Sequence, residues 1–306
     1  MERVERVRVI AVVGATASGK SDYAVALAEQ MGGEVVSCDS MQVYRGMDIG
    51  TAKPTASEMR GVPHHLIDIA EPEEPFSVSE YVAAAEDVVR DVTSRGKLPI
   101  FCGGTGLYLD RFLSGGLAGE TVADGALRDE LTAFAAENGN DALHAMLAAV
   151  DPESAAQIHP NNVRRVARAM EIYRLTGVPK SEWDRRSREA DCRYDATVIG
   201  IDRPREELYR RIDLRVDRMI ADGLAEETAR LAARGVFDRN LTAAQAIGYK
   251  EMLPFLRGEC SLEAAASALK TATRHYAKRQ MTWFRAKPYV RWFSPADLPG
   301  VLPRKE

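Results

Sequence analysis

Gly14-Ala15-Thr16-Ala17-Ser18-Gly19-Lys20-Ser21 satisfies the pattern G-x-x-x-x-G-K-[ST]. Glycines at that spacing let backbone amides turn inward toward an anion. The following helix N-terminus adds about half a positive charge, Lys20 adds a full one, and the Ser21 hydroxyl can ligate Mg²⁺. The stretch reads as a cradle for a diphosphate or triphosphate ester, without saying which ester. Asp39 is the second candidate. It closes a short β-branched run, where a carboxylate serves as a general base or, equally, caps a turn or holds Mg²⁺ through water; position alone does not choose. His64-His65 invites a metal reading, but no third ligand stands at zinc-like spacing, so hydrogen bonding in a loop near the crevice is the better account. Cys38, Cys102, Cys192 and Cys260 lie far apart without a C-x-x-C pair, which suits reduced, packed thiols.

The cradle requires a strand before it and a helix after it. Residues 7–13 are apolar and β-branched, and residues 22–31 carry a helical Ala/Leu pattern. A second strand over residues 34–39 places Asp39 at its carboxyl end; in an open parallel sheet those ends line one crevice, so Asp39 and the cradle face the same ligand. A further strand is expected over residues 66–69. Ser77 and Glu80 form a capping box that opens a helix running to about residues 95–96. Residues 98–102 form a buried strand ending in Gly103-Gly104-Thr105-Gly106, a second glycine-rich strand-to-helix turn that brings Thr105 to the crevice.

From residues 115–116 the composition shifts to Ala-rich amphipathic segments at 124–137, 142–150 and 161–173, which reads as a helical insertion. Residues 185–188 are expected to form an exposed basic linker, and residues 196–201 return the chain to the sheet. A long helix follows Pro204, with its arginines and acidic residues read mostly as i,i+4 pairs. A C-terminal helix covers about residues 262–286, residues 289–293 end the sheet, and residues 299–306 form a tail. The fold expected is α/β: a P-loop NTPase-like parallel sheet flanked by helices with an inserted small helical domain, divided at 1–115, 116–190 and 191–306.

Composition narrows the partners. At 306 residues, 45% hydrophobic and 28% charged, the chain is ordinary globular material, and no apolar run approaches the roughly 20 residues that span a bilayer. The charged N-terminus lacks the apolar core of a secretory signal, which favours the cytoplasm. With a formal net charge of −4, any nucleic acid must meet local basic stripes. Two helix faces offer them: Arg164, Arg165 and Arg168 in the insertion, and Lys270, Arg274 and Lys278 four apart near the C-terminus. For either alone, a solvated helix surface is the default reading.

Residues 39–54, DSMQVYRGMDIGTAKP, following GATASGKS, resemble the tRNA dimethylallyltransferases, also called tRNA isopentenyltransferases or the IPP transferase family. GVPHHLID from Gly61, GGTGLY from Gly103, QAIGYKE from Gln245 and KRQMTWFR from Lys278 extend the resemblance over nearly the whole chain. Ala15 departs from it, since that family commonly has Pro there, at a position that needs only a tight backbone.

The resemblance implies transfer of a dimethylallyl group from dimethylallyl diphosphate to N6 of adenosine 37 in the anticodon stem-loop of tRNA, with Mg²⁺, by a monomer. Asp39 becomes the base, and Lys20 and Thr105 stabilise the leaving diphosphate. The cradle residues 14–21 and Arg215 bind that diphosphate, Ser21 holds the metal, and Ser40, Met41 and Gln42 touch a flipped-out base. Further tRNA contacts implied are Arg164, Arg165, Val166, Ala167, Arg168, Gln245, Gly248, Tyr249, Lys250, Lys270, Arg274 and Lys278. A P-loop small-molecule kinase using ATP and a nucleotide-dependent switch protein share the cradle and remain as rivals.

Overall fold

The structure, a computed structural model, describes residues 6–114, 124–189 and 194–298. The composition break at 115–116, Cys192 and the tail at 299–306 lie outside the described residues. The chain divides into two compact units, one made of Met1–Asp110 with Arg193–Glu306 and the other of Arg111–Cys192.

In the first unit β1 (Val7–Gly14) leads through the cradle into α1 (Lys20–Met31), and β2 (Gly33–Ser37) follows. After the short helix α2 (Ala56–Met59) comes β3, only His64–His65. The strand expected over 66–69 does not form. Leu66 and Asp68 have φ of 61° and 56°, so the chain turns there, and the pairing partners of Val35 and Val36 are His64 and His65 themselves. His65 Nε2 sits 2.7 Å from the buried Glu34 carboxylate, which Arg95 also holds. The helix α3 (Val78–Ser94) begins at the expected capping box of Ser77 and Glu80. It is followed by β4 (Leu98–Gly103) and α4 (Gly106–Leu113).

The second unit is helical, with α5 (Gly125–Asn138), α6 (Asn140–Val150), α7 (Pro152–Gln157), α8 (Val163–Thr176) and α9 (Lys180–Glu189). Its core joins Leu131, Leu143, Leu147, Val166 and Met170. Glu171 is fully buried among them, and burial alone would raise its pKa. Bonds from Arg128 and Arg168 and from the Asp124 amide outweigh that and leave it lowered. The basic run at 185–188 lies within α9 rather than in a linker, because Glu182 pairs with Arg185 and Arg186 one turn on.

The chain then returns to the first unit through β5 (Tyr194–Ile201) and α10 (Arg205–Ala221), with Pro204 as N-cap. Four helices that the sequence reading leaves unplaced come next: α11 (Leu224–Ala233), α12 (Val236–Arg239), α13 (Leu241–Ala244) and α14 (Tyr249–Leu256). Last are α15 (Leu262–Arg285) and β6 (Val290–Phe293).

All six strands run parallel in the order β3-β2-β4-β1-β5-β6. Ile10, Val12, Leu27 and Ile100 join in a core between the sheet and α1. A second core gathers Val43, Tyr44 and Met47, from the loop after β2, with Val216, Tyr249 and Leu269 of the later helices. That loop is therefore bolted to α10–α15, with its polar residues left at the sheet's carboxyl edge.

Candidate active site

The cradle's shape follows from two left-handed glycines, Gly14 at φ 147° and Gly19 at φ 93°; a Cβ on Gly14 would stand 3.0 Å from the Ile201 carbonyl oxygen. Its carbonyls are held outward by arginines. Arg203 Nε donates to the Ser18 oxygen at 2.7 Å, and Arg211 Nε donates to the Ala17 oxygen at 2.8 Å. Arg215 reaches the Thr16 hydroxyl at 3.3 Å. Burial lowers the pKa of Lys20, which nearby Arg215 lowers further while the Cys102 thiol and Asp39 oppose it; Arg215 is lowered by burial and then by Arg211. Removing cations from water at this spot favours an anion that would take their charge. A cavity of about 390 Å³ lined by Lys20, Ser21, Arg211, Arg215 and Arg218 provides the seat.

Asp39 follows directly on β2 and Cys38, half-buried, with Oδ1 accepting the Met41 amide at 2.9 Å. Beside it, Thr105 Oγ1 accepts the Ser40 amide at 3.0 Å and the Thr105 amide donates to the Cys38 oxygen at 3.1 Å. The glycines of this second turn are there for close approach. A Cβ on Gly103 would fall 2.0 Å from the Cys38 oxygen, and one on Gly104 would fall 1.9 Å from Gln280 Nε2.

Gln280 links the two turns: its Oε1 accepts the Thr16 amide at 2.8 Å and its Nε2 donates to the Gly104 oxygen at 3.1 Å. Sequence reasoning assigned it no role. The only signal was an amide on the apolar seam of α15, among Thr273, Ala277 and Phe284.

Asp39 opens on a cavity of about 320 Å³ lined also by Ser40, Met41, Gln245, Tyr276 and Arg279. Burial, and then the Asp39 charge, raise the Tyr276 hydroxyl, which lies beside Thr105 and Gln280. A narrow space touching Thr16, Lys20, Ser21, Asp39 and Arg215 joins this cavity to the anion seat. Phosphate seat and carboxylate thus share one crevice, as P-loop and strand-end positions require.

The wall of that crevice over residues 48–52 is fastened from two sides. From below, Gln42 Nε2 donates to the carbonyls of Thr51 and Ala52, and its Oε1 accepts the Ser37 hydroxyl. The Gln42 side chain is thus engaged in the wall. From outside, the buried Glu227 carboxylate accepts the amides of Asp48, Ile49 and Gly50 at 3.0–3.1 Å and the Tyr249 hydroxyl at 2.7 Å. Glu227 is another residue that sequence reasoning missed.

The remaining candidates are placed as follows. Arg164 and Arg165 are exposed on α8, whereas Arg168 pairs with Glu171 at 2.7 Å. Val166 and Ala167 are completely buried in the helical core, so they face away from any surface contact with tRNA. Gly248 and Tyr249 are likewise buried, Tyr249 against Glu227 and Gly50. Gln245 lies at the Asp39 cavity and Lys250 is exposed. Lys270 pairs with Asp217 and Arg274 with Asp213, at 2.5 and 2.6 Å, so these two acids of α10 serve α15 rather than their own helix. Lys278 is exposed at a different cavity.

Comparison with known proteins gives a consistent answer. A family model described as IPP transferase matches residues 42–287. The chain is 51% identical over 290 residues to the tRNA dimethylallyltransferase of Geobacillus thermodenitrificans, covering 95% of this chain and 91% of that one. It is 48% identical to the corresponding protein of Geobacter sulfurreducens, over 97% and 95%. Among solved structures, the full-length tRNA isopentenylpyrophosphate transferase of Bacillus halodurans is 48% identical with a TM-score of 0.69, over 94% of this chain and 89% of that one. A eukaryotic dimethylallyltransferase described as acting on tRNA is 30% identical with a TM-score of 0.80, over 96% and 75%.

Proposed function

We propose a reaction for this chain from one premise, that it belongs to the IPP transferase family: it is a tRNA dimethylallyltransferase that moves the dimethylallyl group of dimethylallyl diphosphate to N6 of adenosine 37, releasing diphosphate. The observation that carries the residue assignments is the single crevice holding both the anion seat and Asp39.

The adenine amine is a poor nucleophile because its lone pair is delocalised into the ring. As the C–N bond forms and the C–O bond of the ester breaks, Asp39 accepts the amine proton. Charge gathering on the departing diphosphate is met by the cradle amides, Lys20, Arg211 and Arg215, with Thr105 fixing the Asp39 turn. Ser40, Met41, Gln245 and Tyr276 line the space beside Asp39 into which the base is flipped out of its stack. Ser21 supplies a hard oxygen at the seat, with Asp39 bordering the same narrow space, a donor set that fits Mg²⁺. Bound there with diphosphate oxygens, the ion would neutralise leaving-group charge. The tRNA anticodon arm is held by exposed cations, Arg164 and Arg165 first among them. The enzyme acts as a monomer in the cytoplasm; no helix of the described residues is long and apolar enough to cross a membrane.

The test is transfer itself. Protein with unmodified tRNA, labelled dimethylallyl diphosphate and Mg²⁺ should put one prenyl group on each acceptor tRNA, with equimolar diphosphate. Label that stays in the small-molecule fraction while ATP is consumed in a parallel reaction would replace this reading with the kinase one.

A further inference from the structure

One large cavity has no part in the chemical step proposed above. It measures about 640 Å³ and lies at the carboxyl ends of β1, β5 and β6, where Gly14 pairs with Ile201 and Ile201 with Phe293. Ligands of open parallel sheets bind outside such strand ends. The proposed reaction occupies only the half formed by β1, β4 and β2. The cradle is the shared wall: Ala15 and Ser18 border this cavity, while Lys20 and Ser21 border the anion seat.

The facing walls are aromatic and apolar, with Tyr209, Met281, Trp292 and Phe293. At the rim, Arg205 and Lys278 are exposed and have no acidic partner among the described residues; the Arg205 guanidinium lies 5.1 Å from the Tyr209 ring centre. The other two cations are already neutralised, Arg203 by Glu207 and Arg285 by Asp202. The Ser18 hydroxyl, in a residue 1% exposed, is buried in this wall without a hydrogen-bond partner.

We propose that this cavity is a second ligand site, which takes a nucleoside monophosphate. Its heteroaromatic ring lies among the aromatic side chains and Met281, and its phosphate meets Arg205 and Lys278. The volume falls in the range of small-molecule sites. Aromatic faces next to free cations suit a planar ring that carries a dianion. An apolar chain would leave both cations unanswered, and free phosphate would leave the aromatic wall bare. The proposal does not rest on the transferase reading.

The probe is GMP, whose guanine lacks the N6 amine of the acceptor. It is titrated into the full chain by calorimetry and tryptophan fluorescence, with the cradle saturated by Mg²⁺ and pyrophosphate. Saturable binding should persist under pyrophosphate. It should weaken at least tenfold in Met281→Trp, which fills the cavity, and in Arg205→Glu, which reverses the rim charge. Pyrophosphate affinity, unchanged in both variants, reports that each is folded. No saturable GMP binding, displacement of GMP by pyrophosphate, or equal affinity in wild type and both variants overturns the site. Loss of prenyl transfer in the wild type would instead strike only the transferase reading.

Discussion

Around the cradle, Arg203 and Arg211 each place one guanidinium nitrogen on a carbonyl of the loop itself, Arg203 also pairing with Glu207, and burial lowers the pKa of Lys20. On α8 and α15 the cations are governed by carboxylates. Arg168, Lys270 and Arg274 are each pinned to an acid, while Arg164 and Arg165 have no acidic partner among the described residues. The two regions look alike as a list of basic residues. They differ in what the charge is available for: a chemical step in one, an encounter with a polyanion in the other, and for the pinned cations, holding helices together.

That contrast can be broken at its strongest point. Asp39→Asn keeps the shape but cannot accept a proton, so single-turnover transfer at saturating tRNA should fall about a hundredfold or more with tRNA affinity intact. A variant that lost tRNA affinity but kept its rate would make Asp39 a binding residue. Next in size is Glu227→Ala, which strips the acceptor from three successive amides of the crevice wall. Hydrogen exchange at Asp48, Ile49 and Gly50 should speed up and the transfer rate should drop about tenfold, since small misplacements cost that much. Pyrophosphate binding should hold, and exchange unchanged at those amides would return Glu227 to plain packing.

The helix faces should respond more weakly and to salt. Replacing Arg164 and Arg165 with Gln should weaken binding of every tRNA tested and reduce the slope of log K against log salt by about 0.7 to 0.9 for each phosphate no longer neutralised. The same change at Lys270 and Arg274 should leave the slope alone and cost only about 0.2–1 kcal/mol of stability per pair, seen as a small shift in urea midpoint. Equal slopes for both pairs of substitutions would erase the distinction between free and pinned cations.

The smallest effect is confined to acid. Hydrogen bonding by Arg95 first, helped by His65 against the cost of burial, holds the Glu34 carboxyl down to about 2 from 4.5. A carboxylate depressed in the folded state stabilises fully above its unfolded pKa and loses that contribution as pH falls through the folded one. Glu34→Gln should therefore be less stable than wild type at neutral pH, with the gap closing between about pH 4.5 and 2 in chemical unfolding. A gap independent of pH would remove the charge from the account.

The cradle, Asp39 and Thr105 were legible in the sequence because each sits in a local strand-to-turn pattern whose geometry a few neighbouring residues dictate. Gln280, Arg211 and Glu227 were not, because their partners lie 264, 194 and 178 positions away. Nothing in a short window marks such a reach. Tyr249, Val166 and Ala167 show the converse limit: standing within a motif says nothing about facing, and all three are buried. The strand expected at 66–69 failed for a local reason, two left-handed residues in an apolar run.

The bridge made by Gln280 also has a meaning in time. A chain emerging from the ribosome presents Thr16 264 residues and Gly104 176 residues before Gln280, intervals of roughly 13 to 53 s and 9 to 35 s at about 5–20 residues per second. Through those intervals neither the loop amide nor the turn carbonyl has its Gln280 partner. A nascent chain can thus expose its phosphate motif before Gln280 is available to join it to the turn beside Asp39.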